Sequence, residues 1–147
     1  MSAQAVQRLI DEADLRRSAE IYARGADHRS KGDWQQVLAA DCVIEGPGFA
    51  THGLEACCAS IDHLGAMFRG TRHLVQGQTV TIEGDTASGE TLCTAEHLLN
   101  DTDMILVWSI RYRDQWRRDY GIWRFVRRSL LVEWEETRPV TVRGDAA

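Results

Sequence analysis

Four long runs of strand-forming sequence fill the second half of the chain, behind three helical periodicities, and that order limits the possible folds. His73 to Ile82 is rich in Thr and Val, and Glu83-Gly84-Asp85 turns the chain into a second run from Thr86 to Leu99. Asn100 to Asp103 makes the next turn. Met104 to Trp116 is the third run, and Arg118 to Gly121 reverses the chain into Ile122 to Glu135. Ahead of these, residues 8–31 read as one helix, with Leu15, Ala19, Tyr22 and Ala26 on its apolar face. Gly32 is its expected terminator, and Asp33 is placed to cap a short helix around Trp34, Val37 and Leu38. Asp41 to Glu45 is a short strand closed by Gly46-Pro47-Gly48. Gly53 to Phe68 is a third helix, with Leu54, Cys57, Ile61, Leu64 and Phe68 on one stripe. Helices followed by hairpin-linked strands give an α+β order. Strands of this length curve, so the expectation is a curved mixed or antiparallel sheet, of α+β barrel type, with the helices on its concave side around a cone-shaped pocket.

No repeat or linker interrupts the 147 residues, which predicts one domain with its core at about 8–136 and a charged, flexible tail at 137–147. Hydrophobic residues make up 44%, enough to exclude wholesale disorder. No apolar run is long enough for a membrane helix, and MSAQAVQRLIDEADLRR lacks the apolar stretch of a secretory signal, so a reducing cytoplasm is the expected location. The formal charge of −5 argues against nucleic acid or an anionic membrane as partner. Lys31 is the only lysine beside sixteen arginines, and it lies in the polar run His28 to Gly32, which disfavours amine-based covalent catalysis. Cys42, Cys57, Cys58 and Cys93 form no C-x-x-C pair and are read as reduced. No His, Asp and Glu trio has metal spacing, so neither metal nor cofactor is expected.

The strand faces hold the candidate site residues. Met104, Leu106, Trp108, Ile110 and Tyr112 share one face of their strand. Ala87, Gly89, Thr91, Cys93, Ala95 and His97 form a row of mostly small side chains, which suits either a cavity or close helix packing. Asp27 ends the apolar face of the first helix, His73 opens a strand of Val and Thr, and His97 ends the small-residue row. A carboxylate beside an imidazole fixes its tautomer and frees the other nitrogen to act as a base. Spacing alone is also served by the commoner roles, a cap or solvated group for Asp27 and a structural place for His73. The arginines at 111, 113, 117, 118, 124, 127 and 128 read as an exposed stripe paired with carboxylates such as Glu133, Glu135 and Glu136.

Tyr22 and Asp27, His73 after Phe68-Arg69-Gly70-Thr71-Arg72, Gly84-Asp85-Thr86-Ala87 and Gly121-Ile122-Trp123-Arg124-Phe125 together resemble the SnoaL-like branch of the nuclear transport factor 2-like superfamily. Among its members the layout is similar to the lyases: scytalone dehydratases, hexachlorocyclohexane dehydrochlorinases and bile-acid dehydratases. The resemblance spans residues 8–136. It implies His73 as general base, Asp27 as its carboxylate partner, and Tyr22 as the group that polarises a carbonyl or protonates a leaving oxygen. It implies Arg128 as a stabiliser of a departing anion and His97 as a second polar pocket group. Cys93, Ala95, Trp108, Ile110 and Tyr112 fall at wall positions, with Phe68 on the helix stripe. Trp34 is the nearest aromatic to a tyrosine that scytalone dehydratases carry beyond their first helix. The tail after Trp134 is short and charged, where some relatives have an apolar cover.

The resemblance thus implies a cofactor-independent lyase of dehydratase type, acting on an apolar cyclic or polycyclic small molecule in a homo-oligomer, trimer or dimer. An isomerase or cyclase using the same base is the second reading, and a non-catalytic binding module is the third. The enzyme readings require Asp27 within hydrogen-bond reach of His73, and His73 open to a cavity.

Overall fold

A computed structural model describes residues 1–144, and the last three residues of the expected tail lie outside the described residues. Helix α1, Ala3–Asp27, starts at Ser2, whose hydroxyl accepts the Ala5 N–H at 3.1 Å. Leu15, Ala19, Tyr22 and Ala26 are buried along it, as the periodicity requires. The helix ends before residue 31. Arg29 takes the left-handed conformation with φ 56°, and the N–H groups of Ser30 and Arg29 donate to the carbonyls of Gly25 and Ala26. That closure is usually built on glycine, so the sequence carried no signal for it. Gly32 lies inside α2, Lys31–Val37, and Ser30 rather than Asp33 is its cap, accepting the Asp33 N–H at 3.2 Å.

The chain continues as β1, Leu38–Gly46; β2, Phe49–His52; α3, Leu54–Met67; β3, Phe68–Glu83; β4, Thr86–Leu99; β5, Met104–Asp119; and β6, Ile122–Pro139. β2 is too short to show alternation and was not expected. β4 has the bounds read from the sequence. The strands form one sheet in the order β2-β1-β6-β5-β4-β3, with β1 parallel to β6 and the other pairs antiparallel. It is a mixed sheet that stays open, with β2 and β3 as edges, so it does not close into a barrel. Register shifts at Val75/Gln78, Ser109/Ile110 and Gln115/Trp116 mark bulges, which bend strands and tighten their twist. The helices pack on one face of the sheet, where a single core cluster joins them to β1, β4, β5 and β6.

That face is filled more fully than a hollow cone. Tyr22 stacks on Trp34 with centroids 4.5 Å apart, and meets Tyr112 and Phe125 edge-on. Cys93, Ala95, Ile110 and Tyr112, expected as pocket walls, are buried core residues, and so is Trp34. Large aromatic rings satisfy one another here, because edge-to-face contact adds to the gain from burial. Part of the small-residue row has a packing cause: a Cβ at Gly89 would lie 2.0 Å from the Thr79 carbonyl oxygen. All four cysteines are free and buried, with Cys42 and Cys57 sulfurs 3.6 Å apart. Among the described residues no helix is long and apolar enough to cross a membrane.

The C-terminal segment is not a loose charged tail. β6 continues to Pro139, the Val140 N–H donates to the Asp103 carbonyl at 2.9 Å, and Val140 and Val142 pack on Leu98, Ile105 and Val107. The arginine stripe is also divided. Arg111 pairs with Glu90 and Glu133, Arg117 with Asp41 and Asp119, and Arg118 with Asp11 and Asp85. Arg127 pairs with Glu45, while Arg128 points inward.

Candidate active site

Asp27 is the last residue of α1, and its carboxylate faces the first turn of ladder between β3 and β4. Its Oδ2 accepts the backbone N–H of His73 at 2.9 Å, and its Oδ1 lies 2.7 Å from His73 Nδ1. The Thr71 hydroxyl donates to Oδ1 at 3.0 Å. A carboxylate is unfavourable at the negative end of a helix dipole, and side-chain caps for backbone N–H groups belong at the other end. The capping role is therefore excluded by position. Burial works against the Asp27 charge, yet the His73 ring, its N–H and the Thr71 hydroxyl hold the carboxyl below its ordinary range. Because an ionised carboxylate only accepts, His73 Nδ1 carries a hydrogen, and in the neutral ring the lone pair is therefore on Nε2.

His97 stands next to this pair, its ring centroid 6.1 Å from that of His73, packed between Phe68 and Trp108. Its Nδ1 donates to the Leu106 carbonyl at 2.9 Å. Burial lowers the His97 pKa, so the neutral ring is favoured, with a lone pair on Nε2. Neutral His97 thus accepts rather than donates at that nitrogen. The depressed pKa also makes His97 a stability sensor. The folded state resists protonation that the unfolded chain accepts, so stability is full above about pH 6.5 and falls as pH drops below it. Urea midpoints taken from pH 7 to pH 5 should fall for the wild type. His97→Gln, which retains a donor for Leu106, should flatten that slope. Equal slopes would show that His97 is not the sensor.

Tyr22 and Arg128 lie deeper. Arg128 Nε and Nη2 hold Asp114 Oδ1 and Oδ2 at 2.8 and 3.1 Å, with both side chains almost wholly buried. The guanidinium carbon sits 3.7 Å from the Tyr112 ring centroid, 4.4 Å from Phe125 and 4.5 Å from Tyr22. Thr91 donates to Asp114 at 2.8 Å, and Gln78 donates to Thr91 at 3.1 Å. Burial raises the Tyr22 pKa well above that of a free phenol, so the hydroxyl keeps its proton. Asp114 was missed in the sequence, although it continues the alternation of Trp108, Ile110 and Tyr112 by one step. A charged residue on an otherwise apolar face was the available signal.

Two cavities open where α1 ends. One, of about 610 Å³, is lined by Asp27, Arg29, Phe68, Arg69, Thr71 and Arg72 among others. The other, of about 410 Å³, lies between Asp27, Thr71 and Arg72 on one side and Arg138 and Val140 on the other. Asp27 lines both; His73, Tyr22, His97 and Arg128 line neither, though 9% of the His73 side chain is exposed. Of the two conditions for the enzyme readings, the hydrogen-bond reach is met and the opening of His73 to a cavity is not. The structure therefore brings Asp27, His73 and His97 together, and keeps Tyr22 and Arg128 in the packed interior. Trp108 reaches outward, its indole N–H donating to Glu135 at 2.8 Å. Among the described residues, no group of three or more His, Cys, Asp or Glu side chains is arranged for a metal.

The architecture is that of the cystatin-like, nuclear transport factor 2-like proteins. A solved example from Novosphingobium aromaticivorans is 26% identical over 89% of this chain and 87% of its own, with a TM-score of 0.74. A provisionally assigned scytalone dehydratase from the same organism superimposes with a TM-score of 0.82 at 21% identity, covering 96% of this chain and 95% of its own. The hexachlorocyclohexane dehydrochlorinase LinA-type3 from Novosphingobium barchaimii gives 0.83 at 14% identity, covering 91% and 94%. The chain belongs to the SnoaL-like domain family, whose profile matches residues 7–129. No curated protein matches it.

Proposed function

We propose that the protein is a cofactor-independent lyase that eliminates water, or another small leaving group, from a cyclic substrate. The Asp27–His73 pairing carries this reading: a carboxylate placed against its helix dipole grips both the backbone and the ring of one histidine. His73 Nε2 takes a proton from carbon beside an activating group, and the released electron pair forms the new double bond as the leaving group departs with its bonding electrons. For a hydroxyl leaving group, the His73 imidazolium returns its proton to the departing oxygen, which leaves as water. Asp27 balances the imidazolium that forms. Arg128, paired with Asp114 in the packed interior, makes no contact with substrate in this scheme. Asp27 already faces the cavities while His73 does not, so access requires the packing around the His73 ring to open.

The test is product analysis. Scytalone and hexachlorocyclohexane, the substrates named for the two structural relatives, and simple cyclic β-hydroxy ketones should be incubated with the protein. Elimination removes the mass of water or hydrogen chloride. A product of unchanged mass would replace elimination by isomerisation, which uses the same base without loss of the leaving group.

A further inference from the structure

The mouth of this site is cationic, although the chain as a whole carries a formal charge of −5. The larger cavity is lined by Arg29, Arg69 and Arg72, and the smaller one shares Arg72 and adds Arg138 and Arg143. Two of these are spoken for. Arg69 binds Asp103 and the carbonyls of Leu99 and Thr102, and Arg138 binds Glu96 and Glu136. Among the described residues, Arg29 and Arg72 form no ion pair.

Arg29 is the unusual member. It occupies the left-handed position that closes α1, with φ 56°, a conformation that glycine takes without steric cost and a long side chain does not. Through Nη1 it donates to the Ala26 carbonyl and to Thr71 Oγ1, and it lines the larger cavity. Thr71 in turn donates to Asp27. The guanidinium is thus half-buried, lacks a carboxylate, and stands one hydroxyl away from the Asp27–His73 pair. Asp27 also faces the cavity, but both of its oxygens are engaged by His73 and Thr71. A half-buried cation with free donors is stabilised by an anion that replaces its lost water.

We propose that the substrate carries an anionic group, a carboxylate or a phosphate, that Arg29 and Arg72 hold at the mouth while its ring reaches the buried pair. This rests on the lyase reading for the word substrate, and its test is by binding alone. Calorimetric titrations with 2-naphthoate, 2-naphthyl phosphate and 2-naphthalenemethanol compare one ring system with and without charge. At least one anion should bind about tenfold or more tightly than the alcohol, with the gap shrinking as salt rises. Naphthoate alone points to a carboxylic acid, and the naphthyl phosphate alone to a phosphorylated or nucleotide-linked molecule.

Arg29→Gly and Arg72→Gln should each reduce the gap. Glycine suits the left-handed position, so Arg29→Gly should melt close to the wild type, and Arg72 is exposed, so its variant folds in any case. His73→Ala should leave the gap intact, which separates failure of the base from failure of the anion site. Equal affinity for the alcohol and both anions, or a gap that neither arginine variant changes, overturns the proposal.

Discussion

His73→Ala is expected to lower kcat/KM by about a thousandfold, with little change in ligand affinity or melting temperature. The substitution removes the only ring nitrogen that Asp27 orients, while the His73 backbone N–H and the Thr71 hydroxyl still occupy the carboxylate. Asp27 therefore does not become a bare buried charge, and the fold survives. Asp27→Asn should also reduce turnover strongly, for a different reason. Its amide can present a donor to Nδ1, which moves the ring proton to Nε2 and leaves no lone pair facing the substrate. Loss of turnover with affinity retained rules out the binding-module reading. Unchanged turnover in His73→Ala would remove His73 from the mechanism.

Asp114→Asn is expected to destabilise the protein by about 3–5 kcal/mol, the usual result when one partner of a buried ion pair is removed. Asp114 and Arg128 are among the largest fully buried side chains, so water cannot take over the charge of Arg128 once Asp114 is neutral. Three aromatic rings around the guanidinium return part of that loss, and they hold it in place without neutralising it. The paired replacement Asp114→Leu with Arg128→Met should recover much of the stability, because it removes both desolvation costs together. Urea denaturation of the two singles and the double gives the coupling. If Asp114→Asn cost less than 1 kcal/mol, the pair would be solvated in solution.

Much of the fold was legible because its elements are locally encoded. Leu15, Ala19, Tyr22 and Ala26 repeat at helical spacing and do form the buried face of α1. Thr86–Leu99 is a strand with the bounds its turns announce. The failures cluster where local signals were absent or displaced. Arg29 closes α1 without a glycine, and four residues were too few to reveal β2. Val140 and Val142 look like part of a polar tail until Leu98, Ile105 and Val107 are seen beneath them. The expected open cone is largely occupied by Tyr22, Trp34, Tyr112 and Phe125, because ring-on-ring contact cannot be read from separated strands.

By itself the sequence determined the helices-then-strands order, the faces of the strands and the residues able to do acid–base chemistry. Periods of 3.6 and 2 are properties of neighbouring residues, so they survive without knowledge of the rest of the chain. Only the tertiary structure decided which of those residues meet. Asp27 and His73 are 46 positions apart, and their contact depends on how far α1 runs before it crosses β3. Arg128 and Asp114 meet through the pairing of β5 with β6, where a one-residue slip of one strand would put the two on opposite faces. Arg29 reaches the mouth only because α1 stops at Asp27 and Arg29 itself takes the left-handed position that closes it, a stop that no glycine announces.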